Sequence, residues 1–458
     1  MKATDNISKI EYIEDNYPVN KIQVSNVGMW MYLRNVIWDQ LENNNIHNSK
    51  STITNGIKAV KNYYWNYKNR NNDNNYILFT DTYEEVTVNN YPIDRLMYDV
   101  AEELQDNLSV VLNPMGTNHK NSTIYTNNKY MSSHYFTFGM PKKHNIKGKD
   151  VLDEIIDYLN ISIDYKNLIN RFIMYYNRTY NFLEKSKPEK IIINCYHTSL
   201  HQAVILSANT LRIPTYEIQH GLISKRHFPY NFSNCLDSNF LPKYLFSFGR
   251  YVENCISDEY KKYVEIISTG NTYLDTCIKN NQESDPDEKG IKNIIAKSKS
   301  YEQMILISHQ DSIADELNLF IKELANKEKD VLFVYSMRNK NTQKISYINN
   351  QDNIIINDDV SIYTIAKYCD IHLSVYSTFI LESLYMGIPN ILININNISQ
   401  QYIADIIKDD NIIILNSVDD VSSAINNNQF EDTNIIKEKM SFLYSMEEIS
   451  ALKQKILN

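Results

Sequence analysis

A short apolar run, a polar tip and then a helix-length stretch recur along most of this 458-residue chain. Tyr76-Ile77-Leu78-Phe79 ends at Thr80-Asp81-Thr82, and Lys190-Ile191-Ile192-Ile193-Asn194 ends at Cys195-Tyr196-His197. Tyr216-Glu217-Ile218 ends at Gln219-His220-Gly221, where the glycine is suited to a sharp turn or a close approach. Ser109-Val110-Val111-Leu112 is another such run, as are Lys243–Phe248, closed by Gly249, and Val264–Ser268, closed by Gly270-Asn271. Short strands alternating with helices fold into a mostly parallel sheet covered by helices. Ligands bind such sheets outside the carboxyl ends of the strands, so the polar tips are the candidate site.

A second series follows residues 278–299, where the sequence shifts to charge, Asn, Pro and Gly and marks a linker. Met304-Ile305-Leu306-Ile307 is tipped by Ser308-His309-Gln310, and Val331–Tyr335 by Ser336-Met337-Arg338-Asn339. Asn353–Ile356, Asn390–Ile393 and Asn411–Leu415 are further strands. Ile371–Val375 leads through Tyr376-Ser377-Thr378 into a helix over 379–386 that Gly387 and Pro389 stop. The expectation is an α/β protein of two Rossmann-like domains facing across a cleft. Residues 1–277 form the first, with a helical N-terminal extension, 300–432 form the second, and terminal helices over 433–458 cross back to the first. Within 1–277, Trp30, Leu33, Ile37, Trp38 and Leu41 recur at helical spacing, 113–148 reads as a long loop with short strands, and 199–212 is a helix with Ser199 at its N-cap.

A formal net charge of −9 argues against nucleic acid as the main partner. Five scattered cysteines without a C-x-x-C pair fit a reducing cytoplasm. No apolar run is long enough to span a membrane and the N-terminus does not read as a signal peptide. The cluster Lys61-Asn62-Tyr63-Tyr64-Trp65-Asn66-Tyr67-Lys68 suits a surface helix or loop, or a membrane interface. G-x-S-x-G, Walker A and G-x-G-x-x-G patterns are missing, which weakens hydrolase, kinase-like and nicotinamide readings.

Among the tips, Ser377 and Thr378 stand where strand becomes helix and suit a phosphate, with Glu382 one turn on to accept from ribose hydroxyls. Arg338 offers a fork for phosphate. His309 faces the cleft, whereas His372 lies inside a strand and reads as a packed core residue. Trp30 and Arg34 either pack on the domain or flank a substrate. His197/His201 and His220/His227 lack Cys or acidic partners in a zinc pattern, so no metal is expected. Asp285-Pro286-Asp287 reads as solvated linker.

Several stretches together resemble bacterial nucleotide-sugar glycosyltransferases of the GT-B architecture from capsule and lipopolysaccharide gene clusters. The resemblance rests on Glu217-Ile218-Gln219-His220-Gly221-Leu222-Ile223-Ser224 with His227 and Tyr230, then Pro242-Lys243-Tyr244 and Phe248-Gly249. It continues in Gly270-Asn271-Thr272-Tyr273-Leu274-Asp275, in Tyr376-Ser377-Thr378 through Glu382, Gly387 and Pro389, and in Trp30 to Arg34 and Leu78–Thr82. One departure is clear: where these enzymes usually carry Lys-x-His-Pro, this chain has Ser336-Met337-Arg338-Asn339, and Arg338 stands in for the missing histidine. The resemblance implies transfer of a sugar from a CMP- or UDP-linked donor to a surface polysaccharide or lipooligosaccharide, without a cofactor. It implies lipid-linked acceptors and attachment to the inner face of the cytoplasmic membrane. Asp81 is the first choice of base and His220 the second; Glu217 points either to the cleft or into the sheet. Gly249, Asn271 and His309 join Arg338, Ser377, Thr378 and Glu382 around the donor, and Trp30, Arg34, His197 and His227 lie on the acceptor side. A nucleotide-sugar 2-epimerase of the same architecture and a non-catalytic glycan-binding protein are the alternatives; Ser308-His309-Gln310 lacks the arginine such epimerases place beside the histidine.

Overall fold

The structure, a computed structural model, describes residues 2–43, 75–80, 85–88, 91–97, 100–101, 104, 108–112, 129–234, 237–271, 273–274, 288–337, 351–358, 360–403, 411–427, 430, 435–436 and 456. Its strands in chain order are β1 (Gln23–Val24), β2 (Val27–Gly28), β3 (Tyr76–Phe79), β4 (Glu85–Val88), β5 (Tyr91–Asp94), β6 (Leu108–Leu112), β7 (Lys129–Ser132), β8 (Lys190–Asn194), β9 (Thr215–Ile218), β10 (Tyr244–Ser247) and β11 (Glu265–Ser268). The second domain adds β12 (Gln303–Ser308), β13 (Val331–Ser336), β14 (Ile354–Asn357), β15 (Ile371–Ser374), β16 (Asn390–Ile393) and β17 (Ile412–Leu415). Two parallel sheets result, ordered β11-β10-β9-β8-β3-β6-β7 and β14-β13-β12-β15-β16-β17.

Strand order follows burial. β3 and β9 are buried along their whole length and β8 along all but its first residue, as central strands covered on both faces must be. In β12, Met304 and Leu306 face one apolar cluster while Ile305 and Ile307 face another, the two-residue period of a strand. The first of these clusters continues without a break into the core of the first domain. Helix Tyr165–Ser186 begins at Asp164, whose side chain accepts from the Asn167 amide, and is tied to helix Ser199–Leu211 through Thr179 and Ser207. The latter helix is capped by Thr198 rather than Ser199, because the Thr198 hydroxyl accepts from the His201 amide at 3.2 Å.

The expected linker is corrected: residues 288–298 form a helix, with Ile291 and Ile294 buried in the core. Within 113–148, β7 is one of the short strands expected there, and it is followed by a helical turn at His134–Thr137. The remaining linker, the Lys61–Lys68 cluster and Asp285–Asp287 lie outside the described residues, as does most of 433–458. Ile456 does return to the first domain, where it is buried and its carbonyl accepts from the Lys190 ammonium. No described helix is long and apolar enough to cross a membrane.

Candidate active site

In the first sheet the chain winds outward from β3 through β6 to β7, then returns to lay β8 against β3 and winds the other way. The crevice beyond the ends of β3 and β8 is therefore the topological switch point, where open parallel sheets hold ligands. Cys195 follows β8 directly and takes a left-handed φ of 47°, a conformation that costs a residue with a side chain of order 1 kcal/mol. That turn brings its Sγ to 3.4 Å from His197 Nε2. β9 lies next to β8 with Ile218 opposite Asn194, so His220 leaves β9 beside the same turn. The ring centres of His197 and His220 are 5.7 Å apart, and those of His197 and His227 also 5.7 Å. Cys195 Sγ and one ring nitrogen each of His197 and His220 lie within 4.8 Å of one another. The expectation that these histidines lack a cysteine partner is corrected: Cys195 stands with them, which the spacing in sequence does not reveal.

Burial, followed by repulsion from His227 and His220, holds His197 well below the usual imidazole range. Burial and His220 together push His227 down to about 3. Both rings are thus neutral at neutral pH. His227 Nδ1 lies 3.1 Å from the Leu222 carbonyl, which makes Nδ1 the protonated nitrogen and leaves Nε2 an acceptor. His201, by contrast, braces the end of β8 through the Asn194 carbonyl at 2.6 Å.

The turn at 219–221 is built from beneath. The Gln219 amide nitrogen donates to the Gly221 carbonyl and to the Tyr251 hydroxyl, while its oxygen accepts from the Phe248 amide at 2.7 Å. Gly221 does not take a positive φ; a methyl group there would stand 3.8 Å from Thr378 Oγ1 across the domain boundary. Glu217 points into the domain and not to the cleft: fully buried, it accepts from the Tyr196 amide at 2.9 Å and the Tyr230 hydroxyl at 2.6 Å. Burial pushes its carboxyl up to about 7 against the pull of those two bonds. It is a positioning residue. Trp30 and Arg34 are likewise corrected. Both are buried and bind the same Glu14 oxygen, at 3.0 and 2.9 Å, and Arg34 also stacks over Phe228 and donates to the Asn231 carbonyl. They buttress the loop that carries His227 and do not flank an acceptor.

The second sheet has its switch point between β12 and β15. There Gln310 Oε1 accepts from the Tyr376 amide at 3.2 Å, tying the two strand tips together. Ser377 and Thr378 are partly exposed, and the Thr378 hydroxyl accepts from the Leu222 amide of the first domain at 3.3 Å. His309 is buried with Nδ1 2.9 Å from the Tyr335 hydroxyl, so it braces the sheet end and does not face the cleft openly. His372 is a core residue as expected, held between Asn390 and Ser308, with burial pushing it down to about 4. Gly249 lies buried in the turn after β10, its carbonyl accepting from Ser247. Asp81 and Arg338 lie outside the described residues.

Glu382 is corrected too. It is buried, and its two oxygens accept from Arg95 at 2.9 Å, Asn271 at 3.2 Å and the Tyr363 hydroxyl at 2.9 Å. Arg95 and Asn271 belong to the first domain, so this carboxylate clasps the domains and its oxygens are not turned to a ribose. Nothing in the sequence marks Arg95 as the partner of a residue nearly three hundred positions away; the pairing comes from the topology alone.

The two Rossmann-like domains, with polar strand ends meeting between them, have the GT-B fold. The chain is similar to the UDP-GlcNAc 2-epimerase of Neisseria meningitidis solved with UDP-GlcNAc, at 15% identity over 83% of this chain and 98% of that one, with a TM-score of 0.52. That likeness carries the fold. The chain also aligns with an S. aureus MnaA–UDP structure (13% identity, 83% of this chain and 96% of that one, TM-score 0.49) and with the calicheamicin glycosyltransferase CalG4 (10% identity, 84% and 97%, TM-score 0.48). No protein-family model and no curated protein matches the sequence.

Proposed function

We propose that this chain is a glycosyltransferase that moves a sugar from a CMP- or UDP-linked donor to a surface polysaccharide or lipooligosaccharide acceptor. The observation that carries this reading is the meeting of two polar strand tips beside the switch points. The tip of β9, with His220, touches the tip of β15, with Thr378, through the Leu222–Thr378 bond. Two binding walls opposed in this way hold a nucleotide on one side and an acceptor on the other. Ser377 and Thr378 serve the donor phosphate, and Arg338, which follows β13 in the sequence, is assigned to it with them. His220 meets the leaving phosphate or the acceptor hydroxyl, and Asp81, which follows β3 in the sequence, is the first-domain base. The nucleotide-sugar named for the Neisseria structure supports the same class of donor here. Lipid-linked acceptors at the inner face of the cytoplasmic membrane complete the reading, with Lys61–Lys68 as the contact.

The test is a thermal-shift and turnover panel of CMP, UDP, GDP and CDP and their sugars on the purified chain. A nucleotide that raises the melting temperature, with transfer to an added glycan, supports the proposal. Product NMR after incubation with the sugar nucleotide alone separates the closest rival, because epimerisation without acceptor would replace transfer as the activity.

A further inference from the structure

We propose that Cys195, His197 and His220 form a binding site for a transition-metal ion of the zinc class at the first-domain switch point. The three residues supply one thiol and two imidazoles, a donor set suited to borderline-soft divalent ions and unsuited to magnesium or calcium. Around a tetrahedral zinc ion, neighbouring ligand atoms stand about 3.5 Å apart, given metal–ligand bonds of about 2.0 to 2.3 Å. Cys195 Sγ and His197 Nε2 are already 3.4 Å apart, and His220 closes the group within 4.8 Å, a gap that a ring rotation spans.

Three features of the fold support the site. The left-handed turn at Cys195 brings the thiol to the histidines. The ligands are split between the ends of β8 and β9, two paired neighbours in a rigid sheet, so the site is preorganised by the backbone. All three residues are neither exposed nor fully buried, which leaves a fourth coordination position for water or a substrate oxygen. The ion binds the thiolate and two neutral rings, and the Cys195 proton leaves to solvent. His227, whose ring centre is 5.7 Å from that of His197, stands beside the ligands but outside the group that comes within 4.8 Å.

The site does not depend on the transferase reading. Its use does: an ion there, with His220 as one of its ligands, would meet the leaving phosphate in the place that the proposed function gives to the His220 ring. Cobalt(II) alone is the probe. The full chain, dialysed against chelator, is titrated with cobalt(II) in the absence of any nucleotide. One equivalent should bind with tetrahedral d–d absorption and a thiolate-to-metal charge-transfer band, and zinc should displace it. Cys195→Ser should abolish the charge-transfer band, Cys369→Ser should leave it unchanged, and His220→Ala should weaken binding by about tenfold or more. If Cys195→Ser does not fold by circular dichroism, His220→Ala, at a partly exposed strand tip, decides the question. No binding, a band that survives Cys195→Ser, or undiminished affinity in His220→Ala would each overturn the site. Absence of transfer activity in the native chain with metal binding intact would instead count against the proposed function alone.

Discussion

Glu217 sits wholly inside the first domain, where burial pushes its carboxyl up to about 7 from an ordinary value of 4.5. The folded protein therefore holds this proton more tightly than the unfolded chain does. The group favours folding most below pH about 4.5, and that contribution is lost as the pH rises through about 7. Ionised in the fold, it costs about 3 kcal/mol. Glu217→Gln keeps an acceptor for Tyr196 and Tyr230 but takes no charge. Its melting temperature should gain on the native protein between pH about 5 and about 8; a difference independent of pH would show that the carboxyl is not shifted. The same residue shows how far sequence carries at this scale. Its place on a strand beside Gln219-His220-Gly221 is legible, but which face it takes is not. The alternation puts Tyr216 and Ile218 on one side, and only the pairing with Tyr230, thirteen positions on, shows that the other side is also core. Cys195 is similar: its role rests on a φ of 47°, which nothing in the residue type announces.

The loop 222–232 is an element held from outside its own sequence. Arg34, on helix Trp30–Asn43, binds Glu14 on helix Lys2–Asn16 and stacks on Phe228, and Trp38 stacks on Phe228 at 4.5 Å. Arg34→Ala leaves Glu14 buried and uncompensated, a loss of about 3 to 5 kcal/mol in denaturant unfolding. The Glu14→Gln/Arg34→Ala pair should recover a good part of it, and a double variant as unstable as the single one would exclude the ion pair as the cause. The amphipathic pattern of Trp30 to Leu41 identifies the helix correctly, but amphipathicity cannot say whether a buried Arg meets a substrate or another helix. Apolar strands such as Lys190–Asn194 are legible because burial on both faces demands a continuous run. The short strands expected within 113–148 could not be placed, because Lys129-Tyr130-Met131-Ser132 has no such run, and helix Glu288–Ser298 escapes notice because its isoleucines are diluted among charges.

For the whole molecule, Glu382 clasps the second domain to Arg95 and Asn271 of the first. Arg95→Ala should loosen this closure. Small-angle scattering should show a larger radius of gyration, and calorimetry should resolve two transitions where the native protein shows one; unchanged profiles would mean that the shared apolar cluster alone holds the domains together. Two domains, their order and the polar strand tips follow from the alternation of runs, since a parallel sheet fixes where its carboxyl ends lie. Which tips touch does not follow, because strand order is set by long-range pairing: β8 returns to β3 after more than a hundred residues. The central claim is that the β9 and β15 tips form one catalytic cleft with His220 in it. The most direct measurement is turnover of the nucleotide-sugar that the panel selects, by the native chain and by His220→Ala, with nucleotide-induced melting shifts recorded for both. The account predicts that His220→Ala folds, still gains stability from the nucleotide through Ser377 and Thr378, and loses turnover on the order of 100-fold. Full activity in a folded His220→Ala, or no nucleotide binding by the native chain, would contradict it.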